Sequence, residues 1–94
     1  MNLLEISGNL TGDLTLKYTA NGKAYSVATI AANNGKDTDF MPIKIWGEYG
    51  VKLIPILVKG KKVFATGTVE NIEYTNKEGK KAYYTEMVVS HISF

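Results

Sequence analysis

Ninety-four residues with an ordinary apolar share and a net charge of +2 suffice for one closed core, and the chain reads as a single domain over residues 1–94. It contains no cysteine, which excludes a disulfide framework and a thiolate metal site. All eleven basic residues are lysine. Arginine is the usual bidentate reader of guanine edges, so these side chains suit phosphate attraction rather than sequence reading, although a lineage bias in composition explains the same pattern. The opening Met-Asn-Leu-Leu-Glu-Ile-Ser-Gly-Asn-Leu lacks the basic start and apolar run of a secretory signal. No stretch has the length to span a bilayer. A soluble, cytoplasmic protein without a membrane partner is expected.

Taken in order, the chain reads as β structure. Leu3-Leu4-Glu5-Ile6 opens a first strand, with Gly8 and Gly12 as bend or bulge positions, and Leu14 to Tyr18 continues it with alternation. Asn21-Gly22 is the strongest hairpin signal, leading into a second strand from Lys23 to about Ala32. Asn33 to Thr38 is a polar loop, and Asp39 to Trp46 a third strand. Gly47 to Gly60 is the one candidate helix, with Val51, Leu53, Ile54, Leu57 and Val58 as a rough stripe. Pro55 removes a donor and fits only a first helical turn. The expected helix is therefore kinked, or reduced to a turn or two after Ile54, with Gly60 as its stop. A fourth strand runs from Lys61 to Tyr74, Asn76 to Gly79 makes a tight turn, and a fifth strand runs from Lys81 to Phe94. Long strands in so small a domain demand strong curvature. An all-β, five-stranded Greek-key barrel with a short helix between its third and fourth strands is the OB-fold pattern.

The third strand is the most informative. Side chains alternate between its faces. Met41, Ile43 and Ile45 make a core face, and Phe40, Pro42, Lys44 and Trp46 share the other. Two large aromatics flank a lysine where the strand should look outward. Exposed rings beside a cation suit a single nucleic-acid strand, whose bases stack and whose phosphates meet the lysine. The same rings could instead lie under the loops or helix as core; the intervening Lys44 favours exposure.

Ile6-Ser7-Gly8-Asn9-Leu10, followed by Tyr18-Thr19-Ala20-Asn21-Gly22-Lys23-Ala24, resembles the opening of the bacterial single-stranded DNA-binding protein family. Val58-Lys59-Gly60-Lys61-Lys62-Val63 with Gly67 resembles a later family run, and Tyr74 to Gly79 with Tyr83 to Val89 resembles its last hairpin. The likeness covers nearly the whole chain in order. It implies an OB-fold that wraps single-stranded DNA with little sequence preference. Phe40 falls where the family has a stacking tryptophan, Trp46 at a stacking phenylalanine, and Tyr74 at a stacking tryptophan near the hairpin tip. Some features depart from the pattern. The loop from Asn33 to Thr38 is short and lacks the family's aromatic, Pro42 and Ile72 replace common basic residues, and Pro55 interrupts the family helix. The chain stops at Phe94 without the family's acidic-tipped tail, so tail-mediated recruitment of partners is not expected. A compact phage or mobile-element form, or an isolated core domain, fits these departures.

Other residues carry weaker signals. Lys77, Lys80 and Lys81 around Glu78 could grip phosphate or merely solvate a turn. Lys59, Lys61 and Lys62 read mainly as a solvated corner. Tyr18 could stack on a base or sugar, or pack under the Asn21-Gly22 turn, and Tyr25 could join the same surface. Tyr83 and Tyr84 point to opposite faces, so only one can be core. His91 and Ser90 are adjacent on a strand and face apart, which rules them out as a nucleophile and base. The carboxylates show no metal or acid–base spacing, and no glycine-rich phosphate loop is present. No catalytic residue, metal or cofactor is expected. Leu3, Leu4 and Ile6 make an apolar edge strand, and edges invite pairing; with the family's habit of assembling there, a homodimer or homotetramer is implied.

The leading reading is a non-enzymatic single-stranded DNA binder acting in DNA replication, recombination or repair. Phe40, Trp46 and Tyr74 would stack bases, with Tyr18 nearby, and Lys36, Lys44, Lys77, Lys80 and Lys81 would neutralise phosphates. The alternative is an OB-fold protein-interaction module of a replication or recombination complex, with a carbohydrate or RNA binder further off.

Overall fold

The computed structural model describes residues 1–94. Six strands and one helix follow in order: β1 (Leu4–Leu10), β2 (Thr15–Tyr18), β3 (Ala24–Asn34), β4 (Asp37–Trp46), α1 (Gly47–Leu53), β5 (Lys62–Thr75) and β6 (Lys81–Ser93). All six strands belong to one sheet, ordered β1-β5-β6-β4-β3-β2, and an extra pairing of β1 with β3 closes it into a barrel. β4 and β6 pair in parallel at Ile43 with Met87 and Lys44 with Val88; every other pairing is antiparallel. This is the OB-type barrel expected from the strand pattern.

The expected first strand is broken in two, which accounts for the sixth segment. β1 pairs with β5 from Leu4 to Asn9, then crosses to β3 through Asn9 and Leu10. After the break at residues 11–14, β2 pairs with β3 from Thr15 to Tyr18. Gly8 sits at the crossing. A side chain there would overlap the Ala31 carbonyl and press on Ile30 Cγ2, so β1 approaches β3 closely only because Gly8 has no Cβ. The break itself is pinned to the loop before β5: the Leu14 N–H donates to the Leu57 carbonyl (2.9 Å), and Asp13 Oδ1 accepts from the Lys59 N–H (2.8 Å).

The β3–β4 hairpin is longer than expected. The polar loop from Asn33 to Thr38 is mostly strand, with Asn33 facing Thr38 and Asn34 facing Asp37 in register. Only Gly35 and Lys36 remain as the turn, and Gly35 takes a φ of +66°. Two-residue hairpin loops favour such a glycine, which the polar composition of the stretch concealed.

The helix lies before Pro55, not after Ile54. α1 is seven residues long, with Glu48 in its first turn and Lys52 in its last, both suited to the helix dipole. Pro55 offers no N–H, so the regular helix ends ahead of it. A loose turn continues, in which the Leu57 N–H reaches the Leu53 carbonyl at 2.8 Å and drops Leu57 fully into the core. Ile30, Ile43, Ile45, Val63 and Met87 meet Leu57 there. Gly50 brings the helix against β3 and β4, where a Cβ would stand 2.9 Å from Ser26 Oγ and 3.0 Å from the Ile45 carbonyl oxygen.

Gly8→Ala is expected to lower the unfolding free energy by about 1–3 kcal/mol through forced overpacking. Gly12→Ala, where a Cβ meets nothing within 4 Å, should stay within about 0.5 kcal/mol of the parent. Urea unfolding of the two variants checks both.

Candidate nucleic-acid interface

The outer face follows from strand parity and register. Phe40, Pro42, Lys44 and Trp46 of β4 turn away from the core, which receives Ile43 and Ile45 instead. β3 sets Ala31, Thr29, Val27 and Tyr25 beside them, and β2 adds Lys17 next to Tyr25. On the other side, parallel pairing levels Val88 of β6 with Lys44. β5 then places Glu70, Ile72 and Tyr74 beside Glu86, Tyr84 and Ala82. One continuous surface thus crosses β2, β3, β4, β6 and β5.

Two aromatic groups occupy this surface. The first is Trp46, half-buried and packed on Tyr25 with ring centroids 5.4 Å apart and planes tilted by 49°. Two ammonium groups attend the Trp46 ring: Lys23 Nζ lies 4.5 Å from its centroid and Lys44 Nζ 5.1 Å. Lys44 also lies 5.1 Å from the Tyr25 ring. These are cation–π distances. The second group is more open. Phe40 is 64% exposed, Tyr74 47% and Tyr84 42%, and the two tyrosine rings meet at 5.8 Å.

Of the residues singled out from the sequence, Phe40, Lys44, Trp46 and Tyr74 are brought onto this one face. Lys44 is not free there; its Nζ lies 3.1 Å from Glu86 Oε1. Tyr18 is exposed but faces Ala24 in register, on the parity opposite to Lys17 and Tyr25. Lys36 is exposed in the β3–β4 turn. Lys77 and Lys80 are exposed at the β5–β6 tip, where Asn76 Oδ1 accepts from the Glu78 and Lys80 N–H groups at 3.0 Å each. Lys81 faces Thr75, on the hairpin side away from Tyr74, with its Nζ 3.4 Å from Glu73. Sequence reasoning missed Lys17 and Lys23 and left Tyr84 undecided. Neither Tyr83 nor Tyr84 is core, because the hairpin extends beyond the barrel. Lys17 was legible in principle: the turn at Asn21-Gly22 sets Lys17 opposite Tyr25. No group of three or more His, Cys, Asp or Glu side chains gathers anywhere to hold a metal.

A closed barrel whose outer face carries grouped aromatics and lysines defines an oligonucleotide-binding type of OB domain. The sequence profile of the Single-strand binding protein family matches residues 1–94, and the chain belongs to that family. It is 31% identical over 101 residues to "Single-stranded DNA-binding protein 3" of Clostridium acetobutylicum, covering 100% of this chain and 70% of the relative. It is 30% identical over 101 residues to a "Single-stranded DNA-binding protein" of Bacillus cereus, covering 59% of that protein. A protein of the same name from Streptococcus mutans is 31% identical over 98 residues, with 97% of this chain and 60% of the relative covered. The chain therefore spans about three fifths to seven tenths of the length of these relatives.

Trp46 is the only tryptophan, so its emission reports on the first aromatic group. Tyr25→Ala should uncover the indole and move its emission to longer wavelength, with the far-UV circular dichroism unchanged. An unmoved emission maximum would mean that Tyr25 does not shield the ring.

Proposed function

We propose that the chain binds single-stranded DNA with little sequence preference, through the outer face of β4, β6 and β5, and that it acts by binding rather than by catalysis. The observation that carries this reading is the set of three open rings, Phe40, Tyr84 and Tyr74, on three adjacent strands of one face. Every base has a π face, so such rings accept any sequence, each stack contributing about 1–3 kcal/mol. Family membership and the names of the relatives support the choice of single-stranded DNA as the ligand. Lys36, Lys77 and Lys80 stand on exposed turns without acidic partners and suit phosphate contacts; Lys81 shares its charge with Glu73. Tyr18 would touch only a strand that rounds the rim of the barrel. The setting proposed is cytoplasmic DNA replication, recombination or repair.

Homo-oligomerisation belongs to the same proposal. β1 pairs with β5 along one edge, but its other edge meets β3 only at Asn9 and Leu10. The backbone from Leu4 to Ser7 therefore offers unpaired groups to a second copy, beside an exposed Leu3. A dimer or tetramer would place several stacking faces on one DNA strand and raise avidity.

Titration with oligo-dT at low salt should quench Trp46 emission, and added salt should reverse it. Phe40→Ala, Tyr74→Ala and Tyr84→Ala should each weaken binding by about 1–3 kcal/mol. Unchanged emission together with no gel shift at low salt rejects the DNA reading. Light scattering at micromolar concentration tests the assembly, and a strict monomer rejects pairing through β1.

A further inference from the structure

Glu86 projects from β6 onto the outer face, in the middle of a surface proposed to meet a polyanion, yet it is only 5% exposed. Its Oε1 lies 3.1 Å from Lys44 Nζ, but the approach is not aligned as a hydrogen bond, and no other donor reaches that oxygen. The Lys44 side chain is itself 18% exposed. Across the β5–β6 pairing Glu86 faces Glu70, a second carboxylate, so Lys44 is its one cationic neighbour.

A carboxylate at this distance cancels the lysine charge for an approaching phosphate, and burial protects the pair from salt screening. Drawing Lys44 out to a phosphate would strand Glu86 without a counter-charge in a poorly solvated place. Lys23 and Lys17 are different: both are exposed, neither has an acidic partner, and both belong to the β2–β3 side of the same face. We propose that Glu86 sets the electrostatic strength of this surface by holding Lys44 out of the phosphate-binding set, so that the phosphate track follows Lys17 and Lys23. Lys44 and Glu86 are then positioning residues, which fix a cation beside Tyr25 and Trp46. This inference rests on the single-stranded DNA reading.

The test is the salt dependence of oligo-dT affinity between about 50 and 200 mM, where each phosphate contact contributes a logarithmic slope of about 0.7. Lys17→Gln and Lys23→Gln should each flatten the slope by about that amount. Glu86→Gln should free Lys44 and steepen it by about 0.7, an additional loss of about 2.5-fold across that range. A Glu86 with a merely structural role would weaken binding equally at every salt concentration, and an unchanged slope in Glu86→Gln overturns the proposal. The double variant K44M/E86Q removes the pair together and should keep the parent slope. If Glu86→Gln fails to fold, as thermal melting would show, the double variant decides: a slope flattened as in Lys23→Gln overturns the proposal. A parent protein that does not bind oligo-dT at all rejects the underlying DNA reading instead, which separates the two failures.

Discussion

Closure of the barrel depends on β1 serving two partners in succession. Its first residues lie along β5, and its last two turn across to β3. The turn needs a point where backbone meets backbone without a side chain between, and Gly8 supplies it against Ala31. Gly67 does the same on the facing strand, where a Cβ would overlap the Val88 carbonyl beside the irregularity at Thr66 and Gly67. These approaches close the barrel, the turns set the β2–β3, β3–β4 and β5–β6 registers, and register decides which side chains share the outer face. The aromatic groups thus share one face by virtue of these registers, although none of their rings takes part in closure.

The legible parts of the sequence were those governed by a local rule. Period-two alternation in residues 40–46 separated Ile43 and Ile45 from Phe40, Lys44 and Trp46, and the structure keeps that division. Asn21-Gly22 marked a real turn, with Gly22 at a φ of +84°. The candidate segment Gly47–Gly60 contains the helix, but its regular part lies at the start of that segment and not after Ile54, because Gly47, at a φ of +72°, already redirects the chain out of β4. What could not be read was pairing between distant strands. The partnership of Lys44 with Glu86 needs the parallel contact of β4 with β6, and nothing in the residues near position 44 announces a carboxylate at position 86. The meeting of Tyr74 with Tyr84 likewise depends on the exact offset of a long hairpin.

The surface is uneven in charge. Lys17 and Lys23 gather on the side of β2, β3 and Trp46, the Lys44–Glu86 pair lies between the two groups, and Glu70 lies on the side of Tyr74 and Tyr84. With a net charge of only +2, there is little long-range field to draw a polyanion. Under the proposed function, stacking on Phe40, Tyr84 and Tyr74 therefore carries more of the affinity than general attraction does.

The placement of Lys23 bears on how such a surface survives in a crowded solution. Its ammonium group rests over Trp46 at 4.5 Å, on a ring of the face proposed to meet DNA. The indole is therefore not a bare apolar patch, which would invite contact with other proteins. Under the proposed function, a base arriving at Trp46 would exchange with the lysine instead of covering empty surface, and the displaced ammonium would be left beside the incoming phosphate chain. On that reading, one side chain would shield the ring from unselective adhesion and be released where a nucleic acid, but not an apolar protein surface, offers it a new partner.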